Sequence, residues 1–171
     1  MAVQDCKQLK KALLIARYYI KKNEKEGHKK KLDMLKLQKL LYYSQAWNLV
    51  FNDKKLFSEQ IEAWIHGPVV PEVWKELKGF DFSINHPEIS EDIFSCINNN
   101  EQEVLDDIWR VYGKFDGEYL EILTHNESPW QEARKGISEF EPSQNVISTE
   151  SMKEYYSKRL KDEMAKSNKK T

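Results

Sequence analysis

Apolar positions along this 171-residue chain fall mostly at helical spacing. Leu9, Ala12, Leu13, Ala16, Tyr19 and Ile20 follow the i, i+3, i+4, i+7 rule with lysines opposite, which predicts a first amphipathic helix capped by Asp5. Asp33 predicts the cap of a second helix, running to Phe51. In it Leu37, Leu40, Leu41, Ser44 and Trp47 form one stripe, while Leu35, Tyr42, Tyr43, Val50 and Phe51 spread apolar character round the cylinder. A helix apolar on most sides needs several neighbours to cover it, so this one is expected at the centre.

Asn52-Asp53 marks the next turn. Gln60–His66 then alternates polar and apolar residues and ends in aromatic and β-branched types, the pattern of a short strand. Gly67-Pro68 is expected to stop that strand, and Pro71 to open a helix with Val73, Trp74 and Leu77 inward and Gly79 just past its end. Residues 80–100 are irregular, with Ser90 capping a turn through Cys96. Glu101–Tyr112 reads as a helix burying Val104, Leu105, Ile108, Trp109 and Tyr112. Asp116 caps Tyr119–His125, with Tyr119, Leu120 and Leu123 inward. Ser128-Pro129-Trp130-Gln131 combines an N-cap residue, a first-position proline and a capping-box glutamine. Val146-Ile147 is the natural partner for the Gln60–His66 strand, since a lone strand leaves backbone groups unpaired. Thr149 caps a final helix carrying Met152, Tyr155, Tyr156 and Leu160.

The pattern predicts an α+β domain, mainly α: a single helical domain around a central apolar helix, with a small two-stranded β element. It is expected to span residues 1–165, with 166–171 a polar basic tail. Composition agrees, since 6 glycines and 5 prolines are too few for a turn-rich sandwich. Leu37, Leu40, Leu41, Trp47, Trp74 and Trp109 are the expected structural core.

Charge changes the picture more than composition does. Residues 1–39 hold 12 Lys and Arg against 4 Asp and Glu, whereas residues 40–150 hold 8 against 21. Residues 151–171 return to 7 against 3. An acidic body opposes phosphate contact and suits basic partners. Only the terminal helices have the sign for nucleic acid, so a DNA-binding regulator is a minor reading. No apolar run approaches the ~20 residues of a membrane span, and the N-terminus lacks a signal-peptide core. Cys6 and Cys96 lack a spacing partner, so no disulfide framework is expected, and the expectation is a soluble cytoplasmic protein.

Candidate chemistry is sparse. His28, His66, His86 and His125 stand in no zinc-binding spacing, and neither a Walker loop nor a G-x-G-x-x-G motif occurs. No metal, cofactor or small-molecule substrate is expected. Cys96, His125 and Glu127 have the chemical types of nucleophile, base and orienter, but no protease-like wording surrounds them. A hydrolase is therefore a minor alternative.

Three blocks carry a resemblance: Leu37-Gln38-Lys39-Leu40-Leu41-Tyr42-Tyr43, Ala63-Trp64-Ile65-His66-Gly67-Pro68-Val69-Val70-Pro71, and Thr124-His125-Asn126-Glu127-Ser128-Pro129-Trp130. In order and separation they are similar to the signature blocks of the Panacea antitoxin domain family, which includes SocA-like antitoxins and phage-associated GepA-like proteins. The resemblance spans residues 9 to about 160. It implies a non-enzymatic antitoxin of bacterial or prophage origin whose partner is a cognate toxin protein. It also implies an alternative, a proteolytic adaptor that delivers the toxin to a Clp protease. Trp64, His66, Gly67, Pro68, Val69, His125, Pro129 and Trp130 are the motif or partner-binding candidates. His66 departs from the pattern, standing where the family often has an aromatic residue. The tryptophans, Gly67 and the prolines are of types that fill cores and fix corners, so scaffold outweighs contact for them.

Overall fold

The central helix, α2 (Met34–Asn52), is wrapped on every side: every residue from Lys36 to Leu49 is buried. The structure is a computed structural model, and it describes residues 8–27, 31–82, 84–85 and 87–169. The expected cap is in place, with Asp33 Oδ1 accepting from the Lys36 amide at 2.9 Å. Asp53 closes the helix in the left-handed region (φ 53°), which its short polar side chain tolerates.

Around α2 lie α1 (Lys11–Lys25), α3 (Pro71–Leu77), α4 (Asn99–Tyr112), α5 (Gly117–His125), α6 (Ser128–Ala133) and α7 (Thr149–Asn168), with a 3₁₀ helix at Glu91–Cys96. Asp5 lies outside the described residues; Glu59 Oε1 reaches the Ala12 amide in the first turn of α1 at 3.4 Å. Asn98, Asp116 and Ser148 cap α4, α5 and α7 by accepting the amides of Glu101, Tyr119 and Ser151. The cap of α7 is thus Ser148, not the expected Thr149. Helix α7 continues through Asn168, past the tail expected from Lys166.

The β element differs from expectation in its pairing. β1 (Glu62–Trp64) turns at Ile65-His66 into β2 (Gly67–Val69), with Ala63 directly opposite Pro68. Gly67-Pro68 therefore begins the second strand instead of ending the first. Proline is tolerated because this pair does not exchange hydrogen bonds. The Ala63 amide turns away, donating to Asn145 O at 2.8 Å, and its carbonyl accepts from Arg134 Nη1 at 2.9 Å. Val146 bridges Glu62 on that outer side, as the sequence suggested, but as an isolated bridge.

The polar residues of α2 are buried as thoroughly as its leucines. Gln45 Oε1 accepts the Leu56 amide at 2.7 Å, while its Nε2 donates to Phe57 O at 2.8 Å. Asn48 donates to Lys54 O, and Lys36 donates to Gly113 O at 2.7 Å. Irregular backbone packed against a central helix needs such partners, since an unmet buried polar group costs about 1–3 kcal/mol.

Part of the N-terminal charge excess is paired with acids of other elements. Lys11 pairs with Glu101 at 2.7 Å, Lys22 with Asp106 at 2.8 Å and Lys25 with Glu91 at 2.8 Å. The lysine face of α1 thus lies against acids of α4 and the 3₁₀ segment. Among the described residues no helix is long and apolar enough to cross a membrane. Cys96 is disulfide-bonded, contrary to the expectation, and Cys6 lies outside the described residues. Leu120 is buried as expected and Leu123 partly so, but Tyr119, expected inward, is 46% exposed, because Leu120 and Thr124 form the buried face of α5.

Candidate functional site

All three sequence blocks close on one corner, where the β1–β2 hairpin meets α2 and the α5–α6 junction. From α2, Gln38 Oε1 accepts the Val70 amide at 2.8 Å and Lys39 Nζ donates to Pro68 O at 3.3 Å. These side chains cover the edge of β2 that β1 leaves open. Gly67 has φ +95°, and a Cβ there would lie 2.7 Å from Lys39 Cε and 3.0 Å from Thr124 Oγ1. Positive φ and this close approach both call for glycine.

From the other side, Trp130 Nε1 donates to Trp64 O at 3.0 Å. The His125 ring stacks on Trp130 with centroids 4.0 Å apart, and the Arg134 guanidinium lies 5.2 Å from the same ring centroid. Pro129 is buried in the first turn of α6, whose N-cap is Glu127, not Ser128. Arg134 is a clamp: Nη1 donates to Ala63 O, and Nη2 donates to Ser138 O at 2.9 Å and Glu141 O at 2.7 Å. It ties the 138–141 loop to β1.

Of the nominated residues, Gly67, Pro68, Val69, Pro129 and Trp130 are buried, while Trp64 and His125 are half-buried. His66 alone among them stands out, with 75% of its side chain exposed and Nδ1 2.9 Å from Glu121 Oε1. Trp64 packs edge-on against Trp74 at 5.5 Å, which leaves Trp74 half-buried, whereas Leu37, Leu40, Leu41, Trp47 and Trp109 are in the core.

Cys96, His125 and Glu127 do not assemble as a nucleophile, base and orienter. Cys96 is disulfide-bonded on the 3₁₀ helix that packs against α1, and burial holds His125 below its ordinary pKa. Glu127, 2% exposed, sits instead in a tyrosine cage. Its carboxylate accepts from the Tyr156 hydroxyl, from Arg159 Nη1 at 3.1 Å and from Tyr43 at 3.4 Å. Tyr112 stacks on Tyr43 at 3.9 Å, and its hydroxyl accepts from Trp47 Nε1 at 3.0 Å. Among the described residues no His, Cys, Asp and Glu side chains gather as a metal ion needs; His28 and His86 lie outside them.

Two of these buried groups titrate near neutrality from opposite sides. Burial pulls the Lys39 ammonium from 10.5 down to about 7, against Glu121 and Asp33. Burial pushes the Glu127 carboxyl from 4.5 up to about 7, against Tyr156, Arg159 and Tyr43. Between 4.5 and about 7 the folded state holds a Glu127 proton that the unfolded chain releases, so stability falls as pH rises. Between about 7 and 10.5 the unfolded chain holds a Lys39 proton that the folded state has lost, so stability climbs. Denaturation midpoints measured against pH are expected to show Lys39→Met removing the alkaline rise and Glu127→Gln removing the acid-side fall. A Lys39→Met curve that rises like the wild type's would contradict the assignment.

The family model for the SocA-like antitoxin Panacea domain matches residues 37–131, more than half of the chain. The chain belongs to this family. No curated protein and no solved structure matches it at significance. The Panacea match runs from the first residue of the first block to one residue past the last. Its region therefore contains most of α2, the hairpin, α3, α4, α5 and most of α6, while α1 and α7 flank it. Sequence reasoning missed Arg134, one turn beyond the last block, and the inward role of Gln38 and Lys39 within the first. Their types signal nothing by themselves. For Gln38 and Lys39 only their position on a helix apolar all round pointed to burial, and for Arg134 nothing did.

Proposed function

We propose that this Panacea-family chain neutralises a cognate toxin by direct protein–protein contact, without catalysis, metal or cofactor. Residues 1–165 act as one domain in this reading, with 166–171 as a basic extension. The supporting observation is the corner itself. Its family residues are engaged with one another, and beside them His66 and residues 140–142 and 144–146 stay exposed while Trp64 and Ile65 are half-buried. A frame that holds an exposed lip suits recognition of a protein surface.

Co-expression with the neighbouring open reading frame is expected to rescue growth in a host lacking Clp protease as fully as in one that has it. Rescue that disappears without Clp would make the chain a proteolytic adaptor. Undiminished toxicity in both hosts would overturn the antitoxin reading.

A further inference from the structure

Beside the hairpin turn lies a trough of about 320 Å³, lined by Trp64, Ile65, His66, Val69 and Pro142 among others, with walls that are almost wholly apolar. We infer that this trough is the toxin-docking site and takes an apolar side chain flanked by lysine or arginine from the toxin. This inference rests on the toxin-binding reading and adds the chemistry of what is bound.

The charge at the rim selects the partner. Glu139 and Glu141 are exposed on the loop that leads into Pro142, Glu62 is held beside Trp64 by its indole N–H at 2.7 Å, and Glu121 holds His66. Two of the nearby basic groups are turned inward: Arg134 is 5% exposed and bonded to four carbonyls, and Lys39 is fully buried. Lys78 folds over the Trp74 ring, and Lys135 is exposed on the neighbouring turn. The rim is therefore acidic, unlike the α1 and α4 faces, where acids and lysines neutralise each other.

A second copy of this chain fits poorly. Docked through the same face it would bring the same acidic rim, and the lysines Lys11, Lys22 and Lys25 of α1 are already paired within the fold. An apolar anchor in a desolvated pocket with opposite charge around it is the usual plan of a binding hot spot. The Arg134 clamp makes the plan workable, because it fixes the far wall against β1 before any partner arrives.

The test uses the purified full-length chain and the product of the neighbouring gene whose toxicity it relieves, prepared in an inactive form. Two variants alter exposed side chains and leave the clamp's carbonyls in place: the double change Glu139→Lys with Glu141→Lys, and Gln144→Trp, which overfills the trough. Each is expected to keep the wild-type circular dichroism spectrum and to weaken binding by roughly tenfold or more. The double charge reversal is also expected to flatten the dependence of affinity on salt. Overlapping toxin peptides on an array are expected to bind where an apolar residue lies between basic ones. If both variants bind the toxin as tightly as the wild type, the trough is not the site although the antitoxin reading stands. If the wild type itself binds no such product, both fall.

Discussion

Glu127→Ala is expected to lower the unfolding free energy by about 2–4 kcal/mol, the scale set by buried hydroxyls that lose their acceptor and by the void left behind. The carboxylate is the common acceptor for Tyr156, Tyr43 and Arg159, and the Tyr42 hydroxyl lies 3.4 Å from that of Tyr156 behind them. Alanine would leave two buried phenol hydroxyls without their acceptor and the Arg159 guanidinium, 32% exposed, without its buried partner. It would also leave a void among Tyr42, Tyr43 and Tyr156, three rings that pack edge-to-face at 5.3–6.2 Å. Glu127→Gln keeps the shape and one acceptor, and so is expected to cost less than half as much. Urea titrations of the three proteins check this, provided the slope stays constant so that the midpoint reports stability alone. A loss under 1 kcal/mol in the alanine variant, on the order of an ordinary surface change, would show that the cage does not hold α6 to α7.

Arg134→Ala is expected to cost about 2–4 kcal/mol, from buried carbonyls left without a donor and lost packing on Trp130. Its effect should be local before it is global. The 138–145 segment reaches β1 through this guanidinium and through the Ala63 amide bonded to Asn145 O. Hydrogen exchange is expected to speed up at Ala63 and Ile147 in the variant, with the α2 amides unchanged. Arg134→Lys should recover little, since one ammonium cannot reach carbonyls on both β1 and the loop in the planar fork that guanidinium provides. Uniform exchange across the chain would contradict the clamp.

The apolar pattern located α2 and its central place because packing on all sides removes the polar stripe that marks a surface helix. Caps were legible for a similar reason: Asp33, Ser90 and Asp116 act through bonds to amides two or three residues away. The hairpin was less legible. Glycine and proline at 67–68 look like a stop until the pairing shows that Ala63 directs both backbone groups away from Pro68. That direction is set by Asn145 and Arg134, about 70 residues or more further on, which no local rule reports. The same holds for the charge asymmetry. Its basic end reads as a free lysine face, yet the lysines' partners, Glu91, Glu101 and Asp106, lie 66 to 90 residues away.

For the candidate site, the sequence located the corner and three of the residues that line its trough, Trp64, His66 and Val69. Trp64, Gly67, Pro68, Pro129 and Trp130 mark the place through residue types that fix backbone and fill space. Their contacts are with one another. What the sequence did not locate were Ile65, Gln144 and the rim glutamates, ordinary types in ordinary spacing that join this surface only after Arg134 folds the loop back.

The central claim is that the chain holds its toxin by direct contact through this corner. It is tested most directly by titrating purified toxin into the purified full-length chain in a calorimeter, with no protease present. The expected result is a saturating, stoichiometric complex whose affinity falls with added salt. Absence of binding heat, together with toxin activity undiminished by excess chain, would contradict it.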